Sequence, residues 1–183
     1  TEMAEGGPNP DKYLAEWNAI WKAGVTPTKA IGASVTLQFP FAEDYPAKGN
    51  KTLVDGNPGY SDFSYNWLCF YGTPMVATID LGKVQSISSI KMNFLDDPRH
   101  WIFLPEKVNI EVSADGAVYH SVVTLKSPAN EEHYDVAVKP YVTRTSEKAR
   151  YIRVTANNLQ ALPEWRIRDG KKSMIACDEI FVQ

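Results

Sequence analysis

Apolar residues recur at every second position in short segments from about residue 34 to the end of the chain. Successive side chains of a β-strand point to opposite faces, so this period predicts strands that each bury one face. About eight or more such strands, with no long helical pattern between them, predict an all-β fold, an antiparallel β-sandwich. The segments include VTLQF from residue 35, ATIDL from 77, VNIEV from 108, HYDVAV from 133, ARYIRVTA from 149 and SMIACDEIFVQ from 173.

An Asp-Gly dipeptide, Asp115-Gly116, lies between two of these segments. Asp-Gly between alternating apolar runs is a strong β-hairpin signal, because glycine readily adopts the positive φ that such turns need. We therefore predict that the strands on either side of it are antiparallel neighbours.

The N-terminal residues have a helical pattern instead. Asn9 can cap a helix, Pro10 suits its first position and Gly24 ends it. We predict one short N-terminal α-helix and divide the chain in two. Residues 1–29 hold the helix and a linker, or the end of a preceding domain, and residues 30–183 form the β-sandwich. The apolar stripe of the helix consists of Tyr13, Leu14, Trp17, Ile20 and Trp21.

Composition and charge exclude several classes of protein. A length of 183 residues with 44% hydrophobic residues predicts one domain with a sizeable core. The net charge is −3 and basic residues are scattered, apart from Lys171-Lys172, so neither nucleic acid nor an anionic membrane is an expected partner. No apolar run approaches the roughly 18 residues of a transmembrane helix. No signal-peptide pattern follows Thr1, so the compartment must be inferred indirectly.

The sequence carries no motif for catalysis. Its 3 histidines have no metal-ligand spacing, and the serine-hydrolase, metalloprotease and nucleotide-binding motifs are missing. A glycosidase needs two carboxyl groups about 5 to 10 Å apart. Asp96, Asp97 and Glu164 are candidates for such a pair, although acids in a solvated loop explain the same pattern. We therefore expect a protein that is not an enzyme.

Two cysteines, Cys69 and Cys177, lie in apolar segments. Two are too few for a disulfide scaffold, and buried free cysteines behave as small apolar side chains. We predict two free, buried thiols. The alternative is that the two sulfurs lie near each other and pair, because Cys69 follows the loop that contains Asp55 and Cys177 precedes Glu179.

The segment TLVDGNPGYSDFSYNW, residues 52–67, is a candidate cation-binding loop. Asp55 follows an apolar run, Gly56 permits a sharp turn, and Asn57 continues an irregular loop that ends at a core tryptophan, Trp67. A hard cation such as calcium binds about six to eight oxygen ligands. Glu179 supplies a second carboxylate if the last strand lies beside this loop. An ordinary turn with a solvated acid is the alternative.

Several segments in order carry a family resemblance: LVDG, Trp67, ATIDLGKVQSISSIKM, VNIEVSADGAVY, ARYIRVTA and the closing DEIFV. Together they resemble the discoidin, or coagulation-factor type C, domain, whose relatives include galactose-binding jelly rolls of bacterial glycosidases. The resemblance covers roughly residues 30 to 183. It implies a structural calcium bound by Asp55, Asn57 and Glu179, with a backbone oxygen from Asp178. It also implies a module tethered to other domains of a secreted, cell-surface or periplasmic protein.

Sugar recognition needs flat apolar faces and a few fixed hydrogen-bonding groups, which loops between strands can supply. Alternatively, Trp101 fills the core and Trp165 caps the sandwich. The candidate ligand-binding residues are Tyr65, Arg99, His100, Trp101, Trp165 and Arg166.

The sequence thus predicts a non-catalytic carbohydrate-binding module with a structural calcium, whose partner is a glycan. A protein-interaction or purely structural module of the same fold is the alternative, because a fold does not fix its function.

Overall fold

The computed structural model describes residues 27–183, which form seven β-strands and three short 3-10 helices. The predicted N-terminal α-helix lies outside these residues. The strands are β1 (Ser34–Leu37), β2 (Leu68–Tyr71), β3 (Met75–Asp96), β4 (Lys107–Ser113), β5 (His120–Lys126), β6 (Ala137–Asn157) and β7 (Met174–Val182). The 3-10 helices are Gly49–Val54, Pro98–His100 and Glu164–Arg166.

Two long strands, β3 and β6, belong to both layers of the sandwich. β3 has 22 residues and β6 has 21, and they pair antiparallel along most of their length. The first half of β3 also pairs with β1, and the second half of β6 pairs with β4, which pairs with β5. The second half of β3 pairs with β7, which pairs with β2. The predicted antiparallel β-sandwich is confirmed.

The expected number of strands was wrong, because each long strand was read as two short ones. In β3, the apolar alternation is interrupted at Gly82, which has a φ of +85°. The register with β6 shifts between Asp80 and Gln85, so the strand passes an irregularity there without ending. A break in side-chain pattern therefore does not mark a break in backbone pairing here.

The predicted hairpin around Asp115-Gly116 is confirmed. β4 and β5 pair antiparallel across it, and Gly116 has a φ of +78°. The Asp115 carboxylate Oδ1 accepts the backbone N–H groups of Ala117 at 2.9 Å and Val118 at 3.0 Å. The aspartate therefore holds the turn that the glycine permits.

The main core lies between the two layers, and a second apolar cluster covers the outer side of β2 and β7. Trp67 belongs to this second cluster and is buried, as predicted. The second cluster consists of Trp67, Cys69, Leu95, Ile102, Met174 and Ala176. The largest side chains of the main core include Phe70, Phe94, Leu53, Met75, Ile79 and Ile90.

The two cysteines are free and buried, which confirms the prediction. Cys69 pairs with Ala176 in the second cluster, whereas Cys177 pairs with Leu68 and points into the main core. The two thiols therefore lie on opposite faces of the same sheet and cannot form a disulfide with each other. Burial raises the pKa of the Cys69 thiol to about 12, which keeps it in the unreactive protonated form.

Residues that precede β1 contact the last strand. The Lys29 N–H donates to the Val182 carbonyl at 2.7 Å, and the Val182 N–H donates to Thr28 Oγ1 at 2.8 Å. Thr28 and Lys29, which the sequence assigned to the linker, are therefore hydrogen-bonded to the edge of β7.

Candidate functional site

An irregularity in the last strand places two neighbouring carboxylates on the same side of the sheet. Asn93 of β3 lies opposite both Asp178 and Glu179 of β7, because the pairing register shifts there. Cys177 and Ile180 on either side both point into the main core. The extra residue is a β-bulge, and it turns both acidic side chains toward the loop that precedes β2. Both are buried.

Asp178 holds this loop, residues 55–67, against the sheet. Its Oδ2 accepts the Gly59 N–H at 2.9 Å and the Asn93 side-chain amide at 2.9 Å. Its Oδ1 accepts the backbone N–H groups of Asn93 at 3.2 Å and Glu179 at 2.6 Å. The sequence predicted only a backbone oxygen from this residue, so the anchoring role of its carboxylate was missed.

Glu179 and Asp55 come together as predicted. The Asp55 N–H donates to Glu179 Oε1 at 3.1 Å, and the Gly56 N–H donates to Glu179 Oε2. The Asp55 carboxylate accepts the Asn57 N–H at 2.9 Å and pairs with Lys48 Nζ at 2.9 Å. The three residues predicted to bind a cation are therefore neighbours, and Lys48, which was not predicted, is beside them.

Burial makes the negative charges of the Asp178 and Glu179 carboxylates unfavourable. Burial, and then the nearby charge of Asp55, raises the pKa of Glu179 to about 9, although the Gly56 N–H opposes the shift. Burial also raises the pKa of Asp178 to about 6. Lys48 balances one negative charge at the exposed side of Asp55. A proton or a cation at Glu179 would relieve the remaining repulsion.

The donor set fits a hard cation only with help from the backbone. Within residues 27–183 no group of three or more histidine, cysteine or acidic side chains is arranged to hold a metal. Calcium also accepts carbonyl and amide oxygens as ligands. The carboxylates of Asp55 and Glu179 supply two oxygen-donor groups side by side, and the remaining ligands would have to be backbone or amide oxygens.

A second cluster surrounds Trp101, at the end of the 3-10 helix that follows β3. Trp101 has a φ of +57°, and its indole N–H donates to the Arg166 carbonyl at 3.1 Å. Arg166 in turn donates to the carbonyls of Pro98 and Arg99, each at 2.9 Å. These bonds join the 97–106 loop to the 158–173 loop and bring together Arg99, Trp101 and Arg166, three of the candidate ligand-binding residues.

Cationic side chains pack around the Trp101 ring. The Arg166 guanidinium lies 3.8 Å from the ring centroid, Lys171 Nζ lies 4.9 Å away and the Arg168 guanidinium lies 5.3 Å away. Cation–π contacts at these distances are attractive. Arg168 and Lys171 were not among the predicted site residues. The basic run RIRDGKK, residues 166–172, is the sequence signal that could have identified them.

His100 extends the cluster toward the 55–67 loop. Its Nδ1 lies 2.7 Å from Asp97 Oδ2, and its ring stacks on Phe63 with 4.2 Å between centroids. Tyr65 is in the same loop and packs on Tyr60 at 4.8 Å. Tyr65 therefore belongs to the 55–67 loop, whereas Trp101 lies at the end of the Pro98–His100 helix.

Trp165 packs in a different direction from Trp101. Its ring contacts Phe103, His133 and Tyr134, with centroid distances of 6.0, 6.1 and 5.8 Å. Its indole N–H donates to the Asn130 carbonyl at 3.3 Å. Trp165 therefore lies against the loop that precedes β6, and residues 27–183 show no ring contact between the two tryptophans.

The acids considered as a glycosidase pair are not all solvated loop residues, which corrects that expectation. Asp96 and Asp97 are buried, and each pairs with a histidine. Asp96 Oδ2 lies 3.0 Å from His133 Nε2, and burial raises the pKa of Asp96. Glu164 is exposed. Asp97 therefore holds His100 in the loop that follows β3, and Asp96 holds His133 in the loop that precedes β6.

The fold and these loops define the class of protein. Residues 32–176 match the family model described as the F5/8 type C domain. The chain belongs to this family, which confirms the resemblance to the coagulation-factor type C domain. Comparison with curated proteins finds no match.

Solved structures with the same fold include modules of glycan-degrading enzymes. Chitosan-binding module 1 of a chitosanase/glucanase from Paenibacillus sp. IK-5 is 16% identical, with a TM-score of 0.54, and the match covers 86% of this chain and 98% of that chain. A Clostridium perfringens module, CpGH89CBM32-4 in complex with glcNAc-alpha-1,4-galactose, is 14% identical, with a TM-score of 0.55 and coverage of 85% and 92%.

A longer enzyme contains the same fold. A Ruminococcus gnavus GH29 fucosidase in complex with fucose is 18% identical, with a TM-score of 0.51, and the match covers 93% of this chain and 29% of that chain. The fold of this chain is therefore that of carbohydrate-binding modules associated with glycosidases. In the range 27–183, no helix is long and apolar enough to cross a membrane.

Proposed function

We propose that this chain is a non-catalytic carbohydrate-binding module of a larger secreted glycan-processing protein. The observation that supports it is the contact between two loops through Arg166, which joins Pro98 and Arg99 to the Trp101 ring. Aromatic and cationic groups held by backbone hydrogen bonds are preorganised, so little conformational entropy is lost when a hydroxyl-rich ligand binds. The solved structures that contain bound sugars share only their fold with this chain.

Binding of a single sugar is expected to be weak, with a Kd on the order of 0.1 to 1 mM, because a shallow loop surface buries little area. Tethering to a domain that acts on a polymeric glycan raises the effective concentration, so such an affinity is sufficient. Titration calorimetry with galactose, N-acetylgalactosamine and N-acetylglucosamine, supported by a glycan array, measures it.

Alanine variants of the two loop tryptophans locate the binding surface. Trp101→Ala or Trp165→Ala is expected to weaken glycan binding about tenfold, since each tryptophan organises its loop. Tyr119→Ala, in the hairpin between β4 and β5, is the matched aromatic control and leaves binding unchanged. If the folded tryptophan variants both bind as the parent does, the assigned surface is wrong. If no glycan binds at all, the protein-interaction function replaces this proposal.

We also propose that calcium is bound by Asp55, Asn57 and Glu179 and fixes the 55–67 loop. The chemistry of the donor set supports it, because a cation would offset the burial of Glu179 beside Asp55. Bound calcium would supply a fixed positive charge there, while the backbone N–H groups of Asp55 and Gly56 hold the Glu179 carboxylate in place.

Removal of calcium is expected to lower the Tm by about 5 to 10 °C, since a ligand at 100 times its Kd stabilises the native state by about 2.7 kcal/mol. Scanning calorimetry in excess calcium and in excess chelator measures the shift. Asp55→Ala is expected to abolish the difference, whereas Asp44→Ala, at an exposed position outside the cluster, retains it. Superimposable melting curves of the parent protein in calcium and in chelator would rule out the site.

A further inference from the structure

The cations around Trp101 form no salt bridge with the acids of their own loop, Glu164 and Asp169, in the part of the chain that the structure describes. The structure shows Arg166, Arg168 and Lys171 near one ring, and none of the three forms a salt bridge with any residue of 27–183. Asp97, the closest acid along the 97–106 loop, is buried and engaged with His100. We call Trp101, Arg166, Arg168 and Lys171 the basic patch.

Arg166 is the fixed member of the basic patch. Two of its N–H groups donate to the carbonyls of Pro98 and Arg99, and its guanidinium lies against the Trp101 ring. Its remaining N–H groups have no acceptor in the described part of the chain. A guanidinium held in this way binds the oxygens of a carboxylate or sulfate with little loss of side-chain freedom.

The other side of the Glu164–Arg166 turn has the opposite charge. The loop that Trp165 contacts carries three acidic residues and no lysine or arginine, and Tyr134 in it donates to Glu132. The protein as a whole has a net charge of −3. The basic patch is therefore a local feature, and a ligand drawn to it is selected by its own negative charge. The acids of this loop are Glu131, Glu132 and Asp135.

From this arrangement we propose that the basic patch binds an acidic saccharide. The carboxylate or sulfate group of the sugar accepts hydrogen bonds from Arg166 and pairs with Arg168 and Lys171, and the sugar ring packs at the edge of Trp101. This inference rests on the proposed carbohydrate-binding function and narrows its ligand class. A neutral sugar would leave the three cations unpaired and would gain only the aromatic contact.

The test compares oligosaccharides of equal length and different charge. The full chain is titrated with a tetragalacturonate, a sulfated galactose tetrasaccharide, a neutral galactose tetrasaccharide and a chitosan tetramer. The acidic probes are expected to bind about tenfold more tightly than the neutral one, and the cationic probe more weakly than the neutral one. The two acidic probes show whether a carboxylate or a sulfate is preferred, and tighter binding of either one supports the inference.

The variants separate this site from the general charge of the protein. Arg168→Ala with Lys171→Ala is expected to weaken acidic binding about fivefold to tenfold, the effect of two exposed charge pairs. Added salt is expected to weaken acidic binding in the parent and much less in this double variant. Lys83→Ala with Lys148→Ala removes the same charge near the register shift between β3 and β6, on the order of 40 Å away along the strand, and retains acidic binding.

Four results would overturn the inference in distinguishable ways. Equal binding of neutral and acidic probes removes it and leaves the proposed function intact. An equal loss of acidic binding in both double variants shows a non-specific charge effect. Tighter binding of a single-stranded DNA of matched charge assigns the patch to nucleic acid. If no oligosaccharide binds, the proposed function fails together with the inference.

Discussion

Gly59→Ala is expected to lower the free energy of unfolding by about 3 kcal/mol, the upper part of the range for overpacking a core. A Cβ at this position would lie 2.4 Å from Cε2 and 2.7 Å from Cζ2 of Trp67. The indole cannot move away easily, because it is buried and its N–H donates to the Tyr60 carbonyl at 2.6 Å. Urea denaturation followed by tryptophan fluorescence measures the change.

Two companion variants identify the cause. Gly82→Ala meets no atom within 4 Å, so its cost comes only from the φ of +85° and is expected to be about 1 kcal/mol. In a Trp67→Phe background, the smaller ring leaves room, and Gly59→Ala is expected to cost less than it does in the parent. The same cost for Gly59→Ala in both backgrounds would show that the contact with Trp67 is not the reason.

The sequence was sufficient for features that depend on local pattern or on one pair of segments. Period two placed the strands, Asp115-Gly116 placed the hairpin, and the resemblance paired Asp55 with Glu179 across the length of the chain. The prediction that DEIFV belongs to the last strand was also correct, because it lies in β7. Each of these depends on a strong local signal or on a motif whose partner lies in a known segment.

Features that depend on several distant segments were not accessible in this way. The bulge at Asp178 and Glu179 has no local signal, because it appears only when β7 is aligned with β3. Likewise, the cations around Trp101 come from a loop more than 60 residues later in the sequence, as the separation of 65 between Trp101 and Arg166 shows. Periodicity describes one segment at a time and cannot place such loops relative to each other.

Asp178→Ala is expected to destabilise the fold by at least about 3 kcal/mol, because it leaves several buried donors without an acceptor and each costs about 1 to 3 kcal/mol. The donors are the N–H groups of Gly59, Asn93 and Glu179 and the side-chain amide of Asn93. The burial that raises the pKa of Asp178 to about 6 makes its charge costly, so the net loss is smaller than the sum of four lost bonds. Urea denaturation of the variant and the parent measures it.

Asp169→Ala is the matched control, because Asp169 is exposed and is expected to change stability by no more than about 0.5 kcal/mol. Asp178→Asn keeps the shape of the side chain but exchanges one acceptor for a donor, so an intermediate loss is expected. Because Asp178 anchors Gly59, the folded Asp178→Asn protein is also expected to show faster hydrogen exchange in the 55–67 loop than in β4. If Asp178→Ala and Asp169→Ala unfold at the same urea concentration, the buried carboxylate does not hold this loop. The residues proposed to bind calcium, and the Phe63–His100 contact, must then be positioned by other interactions.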